Sequence, residues 1–216
     1  MDVTDAIRRR RAVRTYTDRP VDPDTLDRLL RLALRAPSGG AAQAWSLVVV
    51  REPEKRLAVG ELVIAGGATY FAMMRPRGDR TDEQHAEWAR GYAEQVLGTY
   101  RIVPVWIVGL LVPRGYPADF PGGYDDDLIS LAFAFENLML AARAEGMGTV
   151  PTTAFQRFEK ERLREILGIP DEIDPAILSP LGYPEAFPTG LSPALKRNFK
   201  PWRSLVHDEV YGNARN

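Results

Sequence analysis

Five arginines fall within nine residues near the N-terminus, Arg8-Arg9-Arg10-Arg11-Ala12-Val13-Arg14-Thr15-Tyr16. A guanidinium is planar, permanently charged and matched by its forked donors to phosphate oxygens. Such a run is either a phosphate cradle or a solvated basic edge, and taken alone it reads as the edge, because charge runs mostly face solvent. A second candidate is Ala36-Pro37-Ser38-Gly39-Gly40-Ala41-Ala42-Gln43-Ala44-Trp45. Its small residues let backbone N–H groups approach a ligand closely, although a lone Ser-Gly-Gly is more often a plain connection. The third is Thr149-Val150-Pro151-Thr152-Thr153-Ala154-Phe155, where Pro151 makes a poor interior strand and leaves nearby amides available to a ligand. A second basic cluster, Lys196-Arg197-Asn198-Phe199-Lys200-Pro201, lies near the C-terminus.

Other chemistries are poorly provided for. The 216 residues include no cysteine and two histidines, His85 and His207, far apart in the chain. Thiolate chemistry and disulfides are thereby excluded, and a zinc site or a Ser-His-Asp triad is disfavoured. Asp125-Asp126-Asp127 reads as the acidic start of a helix, with neither histidine nor a Gly-spaced acidic loop to make it a metal site. The formal net charge of −1 makes the arginines a local feature of a balanced protein and argues against a nucleic-acid binder. The longest apolar run, Ile102 to Val112, is too short to span a bilayer and carries Pro104 and Gly109. Met1 to Asp5 lacks the pattern of a secretory signal, so a cytoplasmic protein with no membrane partner is expected.

No linker, repeat or low-complexity tract divides residues 1–216, which read as one domain. Asp2 or Thr4 caps a first helix that should end near Val13, leaving Arg14 to Thr17 extended. Asp22-Pro23 starts a second helix, apolar at Leu26, Leu29, Leu30 and Ala33 and stopped by Pro37. Val48-Val49-Val50 reads as a buried strand entered at Trp45. Glu52 to Ile64 reads as a helix broken by Gly66-Gly67, and Thr81 opens another that runs to about Leu97. Trp88, Tyr92 and Gln95 share a face of that helix, a packing stripe rather than a binding surface. Val103 to Val112 should be a central strand, followed by a Pro/Gly-rich segment with Tyr116, Phe120 and Tyr124. Leu128 to Glu145 is apolar nearly all round, as befits a helix buried centrally or at a subunit interface, and Gly146 ends it. A helix over about Phe158 to Leu167 and a core strand over Ile177 to Gly182 complete the reading.

Together these segments resemble the nitroreductase family of flavin enzymes, in order and over nearly the whole chain. The family's basic Arg-Arg-Ser-x-Arg-x-aromatic motif corresponds to Arg10-Arg11-Ala12-Val13-Arg14-Thr15-Tyr16. Its Pro-Ser-x-x-Asn-x-Gln-Pro-Trp motif corresponds to Pro37 through Trp45, leading into the Ser46 to Val50 strand. The long apolar helix ending Leu-Ala-Ala-x-x-x-Gly-x-Gly-Thr corresponds to Leu140 to Thr149, and the basic-Pro element to the C-terminal cluster. Ala12 replaces the usual serine, Ala41 the usual asparagine and Ala44 the usual proline. The first two departures remove polar side chains from the expected cofactor loop.

The resemblance implies an α+β, three-layer αβα fold with a central mixed sheet flanked by helices, paired as an intertwined homodimer with FMN at the subunit interface. It implies that Arg10 and Arg11, beside Ala12, hold the FMN phosphate with Arg197 or Lys200. Arg14 is then the catalytic residue, near the N1/O2 edge of the flavin, where a guanidinium stabilises developing negative charge. Pro37, Ser38, Gly39, Ala41 and Gln43 would come from the partner subunit. Pro151, Thr152, Thr153 and Ala154 would lie against the isoalloxazine, offering a backbone N–H toward N5. The implied activity is hydride transfer from NAD(P)H to flavin N5, then electron delivery to a small organic acceptor, nitroaromatic or quinone-like, in a ping-pong cycle. A reductive dehalogenase or a flavin-fragmenting enzyme is the alternative within the family. A flavin-binding protein without turnover is the alternative outside it, motivated by the alanine substitutions. No Rossmann glycine fingerprint is present to distinguish NADH from NADPH.

Overall fold

A computed structural model describes residues 1–115, 117, 122–190 and 196–215. Tyr116 and Phe120 of the Pro/Gly-rich segment lie outside the described residues. The helices are α1 (Val3–Arg9), α2 (Pro23–Ala33), α3 (Pro53–Met74), α4 (Asp82–Leu97), α5 (Gly123–Ala144) and α6 (Lys160–Leu167). The strands are β1 (Trp45–Val50), β2 (Val105–Leu111), β3 (Gly148–Thr149) and β4 (Asp174–Gly182), in the spatial order β1-β2-β4-β3. All neighbouring pairs are antiparallel. The parallel element of the expected mixed sheet is a single bridge, Ala12 to Thr149.

Alternation along β2 separates the two outer layers. Val105, Ile107 and Leu111 point into one apolar cluster with Leu26 and Leu29 of α2 and Leu131, Phe135 and Leu138 of α5. Trp106, Val108 and Leu110 point into the other, with Val59, Leu62 and Val63 of α3, Ala93 and Leu97 of α4, and Leu163 of α6. The period-two geometry of a strand requires this division, and a register shift between Gly109 and Leu110 adjusts it. Both faces of β2 are covered, and with a strand on each side it is, with β4, one of the two interior strands.

Local capping signals hold. Asp2 accepts from the Asp5 amide at 2.8 Å, Asp22 from the Thr25 amide at 2.9 Å, and Thr81 with Gln84 forms a reciprocal capping box. Three expectations do not. Helix α1 ends at Arg9, not near Val13: the Arg10 backbone leaves the helical region with ψ 133°, and Arg11 Nη1 donates to the carbonyls of Arg8 and Arg10 at 2.8 Å each. The Val48 to Val50 strand lies at a sheet edge, with Leu47, Val48 and Val49 only half-buried. Gly66-Gly67 does not break a helix: α3 runs through both residues to Met74.

The glycine pair is a packing device. A Cβ on Gly66 would stand 2.1 Å from the Phe155 carbonyl oxygen, and one on Gly67 would stand 2.6 Å from Leu97 Cδ1. Glycine costs about 1 kcal/mol in a helix interior, and close approach of the Phe155 backbone to α3 offsets it. By length and apolar composition α3 is also, among the described residues, the one helix able to cross a membrane. Here its Val59, Leu62 and Val63 are fully buried in the core.

Candidate functional site

The basic motif is positioned by the turn between α1 and the sheet. After Arg9 the chain runs extended beside β3, joined by the Ala12–Thr149 bridge and by the Val13 amide, which donates to the Thr149 carbonyl at 3.2 Å. Val13 is fully buried and lies so close to Gly148 that a Cβ there would meet it at 2.6 Å. Burying alternate residues leaves Arg10, Arg11 and Ala12 half-buried and Arg14 exposed. Thr99 secures the next step: its Oγ1 accepts from the Tyr16 amide at 3.1 Å and donates to the Arg14 carbonyl at 3.2 Å.

The charges gathered here lack local neutralisation. Among the described residues no carboxylate pairs with Arg10, Arg11, Arg14 or Arg143, Asp18 included, and Arg9 has only a long 3.9 Å contact with Asp5. Burial first, then the neighbouring Arg9 and Arg11, pull the Arg143 guanidinium below its ordinary pKa. Burial raises the Tyr16 and Tyr100 hydroxyls well above the usual tyrosine range, and the field of Arg14 opposes that rise at both. A dianion such as a phosphate monoester fits this arrangement, because it supplies the missing counter-charge to preoriented forked donors.

Strand β3 continues into the Pro151 to Ala154 segment, so the arginines and that segment are neighbours by construction. The structure alters the expectation of free amides. Thr152 is bridged to β4, its amide donating to the Leu178 carbonyl at 2.7 Å and its carbonyl accepting from the Leu178 amide at 3.0 Å. Pro151 ends the strand after Thr149, but pairing resumes one residue beyond it, which consumes the Thr152 N–H. The Ala154 amide reaches only Thr152 Oγ1, at 3.4 Å, and the exposed Thr153 amide makes no internal hydrogen bond among the described residues. Gln156, fully buried, clamps the segment from behind by donating from Nε2 to the carbonyls of Thr152 and Ala176 at 3.0 Å each.

The Pro37 to Gln43 loop lies elsewhere, outside the opposite edge strand, and no hydrogen bond or ion pair joins it to Arg10–Arg14 among the described residues. Its backbone is unusual: Gly40, Ala41 and Gln43 all have positive φ, at 59°, 56° and 46°. For the two non-glycine residues this is a sparsely populated conformation that surrounding contacts must sustain. Ser38 Oγ accepts from the Gln43 amide at 3.2 Å, and Ser130 of α5 accepts from the Gly39 amide at 3.4 Å. Trp45 at the end of the loop is core, as its position at a strand entrance suggests. Arg197 and Lys200 are exposed on the C-terminal tail, and among the described residues no hydrogen bond or ion pair joins them to the arginine motif. Arg143, Thr99 and Ser130 were not marked by the sequence; each is an ordinary residue in a helix or turn until the fold sets it beside a motif. Among the described residues no three His, Asp or Glu side chains gather as a metal-binding group.

Residues 7–183 match the model of the nitroreductase family, so the chain belongs to that family. A protein of Archaeoglobus fulgidus, provisionally named NADH dehydrogenase/NAD(P)H nitroreductase, is 30% identical over 179 residues, 82% of each chain. Iodotyrosine deiodinase 1 of Rattus norvegicus is 28% identical over 192 residues, which cover 88% of this chain and 64% of that one. Among solved structures, the NADPH:FMN oxidoreductase of Vibrio harveyi complexed with NAD+ superposes with a TM-score of 0.69 at 21% identity. That match covers 99% of this chain and 79% of the other. The superposition shows a shared α+β fold.

Proposed function

We propose that this nitroreductase-family oxidoreductase binds FMN and passes reducing equivalents from NAD(P)H to a small organic acceptor, nitroaromatic or quinone-like. The observation that carries this reading is the group of arginines without carboxylate partners, set beside β3 where the chain turns into Pro151 to Ala154. When bound, the flavin supplies the hydride-accepting chemistry. The chain's own task is to bind, orient and polarise. Arg10 and Arg11 hold the phosphate, and the exposed Thr153 amide, beside the half-buried Ala154, faces the ring system. Arg14, exposed and free of a carboxylate, sets a positive field at the edge where negative charge accumulates. A cytoplasmic location and a single domain over residues 1–216 belong to the same reading.

A homodimer completes the site in this proposal, bringing the strained Pro37 to Gln43 loop of one copy to the arginines of the other. Exposed apolar groups support it: Ile129 and Phe133 on the outer face of α5, and Phe199, Trp202, Leu205 and Tyr211 on the tail, are all more than 45% exposed. Monomeric proteins seldom leave so many large apolar groups open to water. Light scattering at micromolar concentration is expected to give a dimer, and a folded, flavin-loaded monomer would refute this part.

The function itself is tested by the absorbance spectrum of the purified protein before and after anaerobic addition of NADH or NADPH. Bleaching of a bound flavin is the expected result. A flavin that persists identifies a binding protein, and absence of flavin overturns the cofactor assignment. The likeness to iodotyrosine deiodinase 1 favours a second reading, reductive dehalogenation. Offering a nitroaromatic, a quinone and a halophenol in turn to the reduced protein separates the two.

A further inference from the structure

Arg143 stands one residue after Ala142, whose complete burial fixes the rotation of the last turn of α5. That rotation aims Arg143 at the end of α1. Its Nε donates to the Arg9 carbonyl at 3.2 Å, and its guanidinium carbon sits 3.7 Å from the centroid of the Phe187 ring. Held between a carbonyl and an aromatic face, the guanidinium plane is oriented before any ligand arrives, and both Nη groups are left without an internal partner among the described residues. The nearest acid in sequence, Glu145, is engaged by Arg28 of α2 at 2.9 Å. Arg143 is thus brought toward Arg9 and Arg11, and among the described residues no carboxylate pairs with it.

The clustered guanidinium groups of Arg9, Arg11 and Arg143 repel one another, and a folded chain has little reason to assemble them unless an anion joins the group. We propose that Arg143 is a further phosphate-binding residue, holding the terminal phosphate of FMN together with Arg10 and Arg11. It supplies from α5 a side-chain donor where Ala12 offers none. This inference rests on the FMN reading above and adds a residue outside the N-terminal motif. A purely structural role, capping the last carbonyl of α1, is the competing explanation, and phosphate dependence separates the two.

The experiment compares FMN with riboflavin, which lacks the phosphate, by fluorescence titration of flavin-free protein. Wild type is expected to prefer FMN strongly. R143Q should lose roughly tenfold or more in FMN affinity while binding riboflavin within about twofold of wild type. R143K, which retains the charge but not the planar fork, should show a smaller selective loss. It supplies the same comparison if R143Q is unfolded by circular dichroism. Inorganic phosphate should raise the melting temperature of flavin-free wild type more than that of either variant. Unchanged FMN affinity in the variants, or equal losses for FMN and riboflavin, overturns the proposal while leaving the cofactor reading intact. A wild type that binds neither flavin overturns both.

Discussion

Arg10→Ala is expected to weaken FMN binding by roughly 10- to 100-fold, since a charge-assisted hydrogen bond to phosphate is worth about 1.5–3 kcal/mol. The effect should exceed that of most surface substitutions because Arg10 is half-buried and, among the described residues, has no carboxylate to release when the side chain is removed. Arg11→Ala should behave differently. Arg11 Nη1 already holds the carbonyls of Arg8 and Arg10, so its loss also loosens the end of α1 and lowers thermal stability. Equilibrium titration of FMN beside a thermal melt distinguishes the two variants. An Arg10→Ala protein that purifies with full flavin occupancy and unaltered affinity shows that the arginine run faces solvent only.

Arg14→Gln is expected to lower the flavin midpoint potential and slow reduction by NAD(P)H while most oxidised FMN stays bound. An interaction equal in both redox states changes affinity alone, whereas one that favours the reduced state shifts the potential. Removing a cation from the edge that carries negative charge after reduction therefore shifts it downward. With one charge-assisted contact at stake, the fall is about 30–65 mV for a two-electron couple. The environment favours this outcome: among the described residues Arg14 pairs with no carboxylate, Asp18 included, and its field reaches the buried hydroxyls of Tyr16 and Tyr100. Potentiometric titration with anaerobic stopped-flow reduction is the measurement, and an unmoved potential rules out the assignment.

Much of the architecture was legible from short-range signals. Asp22-Pro23 and Thr81-Gln84 are helix starts because their side chains meet amides two or three residues away, a distance the sequence itself specifies. Leu26, Leu29 and Ala33 face the core because helical geometry puts them on one stripe. The order of the arginine motif, the small-residue loop and the apolar helix was enough to identify the family. The extended run from Arg14 to Thr17 and the interruption of the strand at Pro151 follow from the same short-range signals.

What the sequence by itself determined is thus the identity and order of the elements and the residue types offered to a ligand. Only the tertiary structure decided how distant segments meet. Gly66-Gly67 looks like a helix break until the Phe155 backbone is seen to need the space where a Cβ would be. Val48 and Val49 read as buried, yet a strand's burial depends on what lies beyond it, and among the described residues no strand lies beyond β1. The Thr152 amide seemed available after Pro151 but is taken by Leu178, 26 residues onward. Arg143 carries no local mark at all; burial of Ala142 and the position of Phe187 turn it toward Arg9. Capping and periodicity act over one or two turns of chain, whereas close approach, edge position and the sharing of an anion are set by contacts between residues far apart in sequence.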